Sequence, residues 1–169
     1  MSESTEKLFT FSCKNQENIN RGVQANQWAV SNSSMASTTA GRRSKASKYL
    51  SVGSFGLIYC TPLKSFTMPF VTRTTADPFR IEKDVWPEGW AFPFLIEPLG
   101  DLSRRIYKDD AAARWPFLGH KMYHEGHQSA LTAMNGTGVC VFVPIMISEG
   151  DWELILSDLG WSQRNGSRS

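Results

Sequence analysis

The sequence lacks the common marks of catalysis. It holds no GxSxG, no GxxxxGK[ST] and no GxGxxG after a strand, so a nucleophile elbow, a phosphate-cradling loop and a dinucleotide fold have no basis here. Cysteine is scarce, and Cys13, Cys60 and Cys140 lie far apart. An odd count without CxxC spacing argues against a disulfide framework or a zinc knuckle. Each thiol sits in an apolar, strand-like context that reads as buried. No apolar run is long enough to span a bilayer, and no N-terminal stretch has the form of a signal peptide. The expectation is a reducing setting without a membrane partner, cytoplasmic in a prokaryotic source or nuclear in a eukaryotic one. Charge imbalance is also lacking: the net charge is +2, too little to argue for any partner by itself.

Aromatic residues are what the chain has in excess, with six Trp and ten Phe. Such side chains bury large areas, and they also build stacking surfaces for flat ligands. A length of 169 residues suits one domain with its own core. Residues 1–7 read as disordered, 8–161 as the folded domain and 162–169 as a flexible tail.

Residues 8–12 alternate into a strand. Asn15 is a fair N-cap, and Glu17 follows in the first turn of a helix whose Ile19 and Val23 recur at helical spacing. Gly22 weakens that segment. Residues 27–30 read as extended, and 31–51 as a Ser/Thr/Ala-rich loop or short helix. Residues 53–61, GSFGLIYCT, make the clearest strand. Residues 66–74 and 90–97 follow as strands, in which Pro69 and Pro93 mark edges or bulges. Leu102 and Ile106 suggest a helix over 101–113, and the apolar run 138–146 suggests another strand. Ser148 and Asp151 form a capping box for a last helix with the stripe Trp152, Ile155, Leu156 and Leu159, ended by Gly160. Strands dominate the middle without βαβ alternation. The pattern predicts an α+β domain with a curved, open-barrel-like sheet flanked by helices.

Few residues stand out as functional candidates. His120, His124, Glu125 and His127 form the one metal-like run, but it is not HExxH and has no Cys partners. No metal and no cofactor are expected. An enzyme acting on a small nucleotide-like molecule would use His120, His124 or Glu125 as acid/base groups. Asp109, Asp110, Glu97 and Asp101 read as helix-surface and cap residues. Trp152 reads as core, Trp161 as packing back on its helix, and Trp115 as core or lid. Trp28, Trp86 and Trp90 differ, because Trp28 follows polar residues and Trp86 sits in the loop VWPEG. Aromatic residues so placed either plug the core or wall a binding pocket. Arg42, Arg43, Lys45 and Lys48 form a basic cluster suited to phosphates, or an ordinary solvated loop.

Residues 9–28, FTFSCKNQENINRGVQANQW, resemble the opening of the YTH and EVE domains of the PUA-like superfamily. That opening is a strand ending in a Lys-Ser-like pair, an Asn-x-Glu-Asn-[Ile/Val] helix start and a small-residue helix leading to a Trp. Here Ser12-Cys13 ends the strand, Asn15-Gln16-Glu17-Asn18-Ile19 starts the helix, and Trp28 follows at the expected distance. Downstream, GSFGLIYC is similar to the second long strand, VWPEGWAFPFLIEPLG to the loop and strand carrying a second cage aromatic, and ISEGDWELILSDLG to the closing helix of EVE domains. The resemblance covers roughly residues 8–161. Ala29 stands where YTH domains carry Cys or Ser, and the segment around Trp86 and Trp90 looks more like the EVE branch.

The resemblance implies a PUA-like fold and a module that flips one modified base into an aromatic cage. Trp28, Trp86 and Trp90 would line that cage. Ser12, Cys13, Lys14 and Asn15, and more weakly Ser31 and Asn32, would read the base edge, with Arg42, Arg43, Lys45 and Lys48 on phosphates. The EVE likeness implies a methylated cytosine or adenine in DNA, in the specificity domain of a modification-dependent restriction system whose nuclease lies in another domain or subunit. The alternative is a YTH-like reader of N6-methyladenosine in RNA.

Overall fold

The computed structural model describes residues 5–30, 48, 50–119 and 144–160. The first strand, β1, runs Thr5–Cys13 and so takes in part of the segment expected to be disordered. Its early residues pair antiparallel with β8, Ile145–Ser148, which matches Thr5 to Ser148. Backbone pairing outweighs the polar character of Thr5, Glu6 and Lys7. The helix α1, Gln16–Gln24, follows, and β2, Gln27–Val30, leaves it through Asn26 in the left-handed region. The middle of the chain supplies β3, Phe55–Cys60, β4, Ser65–Thr72, the short β5, Ile81–Glu82, and β6, Trp90–Pro98.

Residues 101–113 depart from the single helix expected. Asp101 instead folds an Asx turn, its Oδ1 accepting from Ser103 N and Oγ at 2.8 Å each. The strand β7, Arg105–Tyr107, then pairs with β4, placing Ile106 opposite Phe66. The helix α2, Lys108–Arg114, starts only there. An apolar residue every four positions fits either element, and the unpaired flank of β4 decides. Glu97 lies on β6 rather than on a helix, and ion-pairs with Arg73. A 3-10 turn, Pro116–Gly119, follows α2, and α3, Glu149–Leu159, follows β8 with the expected Ser148–Asp151 capping box.

The described strands form one open mixed sheet in the order β2-β6-β4-β3-β1-β8, with β5 on β6 and β7 on β4. Only β1 and β3 run parallel. The architecture is α+β, as the strand-rich pattern predicts. Neither proline marks an edge, because β4 and β6 both lie inside the sheet. Both mark bulges. Opposite β3 the register shifts between Gly56 and Ile58, setting Met68 and Pro69 of β4 against the single residue Leu57. Opposite β2 it shifts between Trp28 and Val30, setting Phe92 and Pro93 of β6 against the single residue Ala29. Met68 and Phe92 each adopt positive φ, 54° and 57°, a costly conformation for bulky residues. Proline cannot donate to a ladder, so the bulge is where a sheet interior tolerates it.

Strand alternation divides the core in two. Phe9, Phe11, Cys13, Ile58, Met68 and Phe70 face α1 and the three tryptophans Trp28, Trp86 and Trp90. Leu8, Leu57, Tyr59 and Phe66 face α2 and α3. On that second side Trp115 is fully buried, which assigns it to the core rather than to a lid. Trp152 is buried too, and stacks on Phe55 at 4.2 Å.

The Trp115 indole donates to Asp158 Oδ2 at 2.8 Å, and the Arg114 guanidinium grips the same carboxylate. Burial pushes the Asp158 carboxyl up, but hydrogen bonds from Arg114 and Trp115 outweigh it and hold the carboxyl below its ordinary 3.8. A depressed native value stabilises the fold above the ordinary value, and that contribution is lost as pH falls through the lowered one. Asp158→Ala is expected to lower stability by about 1–3 kcal/mol at neutral pH by stranding the indole N–H. Urea titrations should show the deficit at pH 7 and a smaller difference from wild type in acid.

Candidate nucleic-acid interface

Trp28, Trp86 and Trp90 come together beside α1, with Trp28 and Trp86 against the helix at Gly22. Trp28 is placed by β2, where it stands opposite Phe94 of β6. Trp86 and Trp90 bracket the turn Trp86-Pro87-Glu88-Gly89, closed by Gly89 N donating to the Trp86 carbonyl at 2.7 Å. Proline suits the second position of such a turn, and Gly89 takes the φ of 86° that its exit requires. The loop before it is fixed by Glu82, a buried carboxylate that pairs with Arg80 and accepts from the backbone of Asp84 and Val85.

The result is a closed cluster. Trp86 and Trp90 stack face to face at 4.2 Å and 4°, and Trp28 meets both edge-on at 5.8 and 5.5 Å. The three are 1%, 0% and 3% exposed in the order Trp28, Trp86, Trp90. A flat base between two rings needs them about 7 Å apart, twice the carbon contact distance. No gap of that width stands between Trp86 and Trp90, which fill the space between them by direct stacking. The ties on the two rings differ. Trp86 Nε1 donates to the Asn18 carbonyl of α1 at 3.1 Å, while Trp90 Nε1 donates to the exposed Glu88 side chain at 2.8 Å.

Two residues that hold the cluster were not among the expected site residues, Gly22 and Asn18. A Cβ on Gly22 would stand 2.8 Å from each of Trp28 Cε3, Trp86 Cζ2 and the Gln27 carbonyl, so only glycine admits both indoles to α1. Asn18 lies four residues earlier, on the same helix face. A glycine inside an otherwise regular helix was the available signal, since such a residue often marks close approach.

The expected edge readers are dispersed. Asn15 spends its side chain as the α1 cap, Oδ1 accepting from Glu17 N at 2.8 Å. Cys13 is buried, its thiol pushed up to about 11 by burial, and it donates to the Asn15 carbonyl. Ser12 falls with Leu8 on the face away from the tryptophans. Lys14 is exposed beside the start of α1, and Lys48 is exposed too. Ser31, Asn32, Arg42, Arg43, Lys45, Cys140, Trp161 and the run His120, His124, Glu125 and His127 lie outside the described residues. Among the described residues no group of three His, Cys, Asp or Glu is placed to hold a metal ion, and no helix is long and apolar enough to cross a membrane.

No protein-family model and no curated protein matches the chain. Solved structures do. The YTH domain of the Zygosaccharomyces rouxii MRB1 protein, in complex with N6-methyladenosine RNA, superposes with a TM-score of 0.56 at 11% identity, covering 93% of this chain and 88% of that one. The Mmi1 YTH domain in complex with RNA gives 0.54 at 10%, covering 95% and 81%. The Toxoplasma CPSF4 YTH domain, with an m6A-modified RNA, gives 0.51 at 14%, covering 92% and 91%. The chain thus has a YTH-type α+β fold. The EVE branch favoured from the segment around Trp86 and Trp90 is not what these structures represent.

Proposed function

We propose that this domain is a binding module for single-stranded RNA that holds one N6-methylated adenine among Trp28, Trp86 and Trp90. The observation that carries the reading is the convergence of three buried indoles from β2, the loop 83–89 and the start of β6 beside α1. Trp86 is pinned to the helix, so Trp90 is the ring that yields. An aromatic pair is worth about 0.5–1.5 kcal/mol beyond its buried area, whereas stacking returns about 1–3 kcal/mol per base. Exchange of one for the other is favourable, but modestly, so affinity draws on the rest of the strand. The methyl group adds about 0.8 kcal/mol of burial, near fourfold in affinity. Stronger discrimination needs a polar group at the base edge, and Asn18 is the side chain on the right face of α1.

RNA takes precedence over DNA because the similar solved structures include YTH domains bound to N6-methyladenosine RNA. A restriction-system role has no comparable support. Fluorescence anisotropy with single-stranded RNA, methylated and unmethylated, and with DNA bearing N6-methyladenine or 5-methylcytosine tests the reading. The methylated RNA is expected to bind tightest. Equal binding of methylated and unmethylated RNA would sink it, and a preference for methylated duplex DNA would replace it.

A further inference from the structure

Arg105 is a cation that the fold positions without neutralising. Its guanidinium donates to Ser65 Oγ and to Gln16 Oε1, both at 2.8 Å and both neutral. Ser65 is fully buried and Arg105 itself partly so. Arg21, Arg73, Arg80 and Arg114 each pair with a carboxylate, but among the described residues none lies within ion-pair reach of Arg105. Asp101, four residues earlier, accepts instead from Ser103 N and Oγ. Burying a charge is unfavourable unless an opposite charge or enough hydrogen bonds meet it. A guanidinium carries five N–H donors in a planar fork, which suits the oxygens of a phosphate.

Two further cations lie beside the partners of Arg105 in the chain, Lys64 just before Ser65 and Lys14 two residues before Gln16. Lys64 precedes Ser65 in an exposed turn, and its carbonyl accepts from Lys108 N at 2.8 Å. The same turn is drawn to the end of β1, where Thr61 N donates to the Cys13 carbonyl at 2.9 Å, next to the exposed Lys14. Gln16, the partner of Arg105, opens α1, and Asn18, which holds Trp86, lies two residues on, about 3 Å along the axis. The cationic rim and the tryptophan cluster thus meet the first turn of α1 on different sides of the helix, which one strand crossing that turn would span.

We propose that Arg105, flanked by Lys14 and Lys64, binds a phosphodiester of the strand whose base enters the tryptophan cage. The proposal rests on the RNA reading above and adds a residue that no motif singled out. A fixed guanidinium at the same end of α1 would anchor the backbone and leave base selection to the indoles.

The test is a salt series on a short RNA containing N6-methyladenosine, alongside titration of the free N6-methyladenosine nucleoside. Arg105→Gln is expected to weaken RNA binding several-fold and to flatten the slope of log affinity on log salt by about 0.7, one phosphate contact on a single strand. Nucleoside binding and the preference for the methyl group should stay unchanged, and Arg105→Lys should restore most of the slope. An unchanged slope in a folded Arg105→Gln protein overturns the proposal, and so does a parallel loss of nucleoside binding, which would place Arg105 in the cage or the fold. If Arg105→Gln does not fold, Lys64→Gln decides, because an unaltered slope there is equally contrary. Failure of the cage reading looks different: wild type would ignore the methyl group, while Arg105→Gln would still flatten the slope for unmodified RNA.

Discussion

Trp28→Ala is expected to abolish recognition of the methylated base and to lower stability by about 3–5 kcal/mol, the usual range for deleting a buried aromatic. Both effects come from one ring. Trp28 is 1% exposed within the α1-facing core and is also the edge against which Trp86 and Trp90 stand. Loss of stability therefore does not by itself argue against a binding role. Trp28→Phe separates the two, since it keeps an aromatic plane and most of the volume. It should recover most of the stability, measured by urea titration, and part of the affinity. Tight, methyl-selective binding by Trp28→Ala would remove this ring from the site.

Gly22→Val should damage the cage with all three tryptophans still in place. Alanine at this helix position would gain about 1 kcal/mol of propensity. Its Cβ, however, meets two indoles and a carbonyl at 2.8 Å, and the outer atoms of valine reach further. Overpacking of this kind costs about 1–3 kcal/mol and moves side chains off their rotamers. The expected result is at least a tenfold loss of affinity for methylated RNA, together with a changed tryptophan emission spectrum. Wild-type binding by Gly22→Val would mean that the indoles need no contact with α1 to work.

The elements most legible in the sequence were those with local signals. The Asn15 cap, the Ser148–Asp151 box and the alternation of GSFGLIYC carry their cause within a few residues, and each forms where the pattern places it. Residues 101–113 were misread because a four-residue apolar spacing does not tell helix from strand when an unpaired strand waits nearby. Pro69 and Pro93 announced bulges, yet that their strands lie inside the sheet depends on long-range pairing. At the candidate site the tryptophans were visible as types in context. Their closed stacking was not, because it depends on a turn, a helix face and a missing Cβ meeting in space. Asn15 was expected both to cap α1 and to read a base edge, and its side-chain oxygen is taken up by the cap. Arg105 gave no signal, since its meaning lies in partners forty and eighty-nine positions away.

The most direct test follows the indole N–H resonances of the free domain as N6-methyladenosine is added. The nucleoside should shift Trp28, Trp86 and Trp90, with the largest change at Trp90 as its stack opens. Trp115 and Trp152, in the opposite core, should stay in place, and adenosine at equal concentration should move the same three signals less. Shifts confined to other tryptophans, or an identical response to adenosine, would contradict the assignment of this cluster as the methyl-base cage.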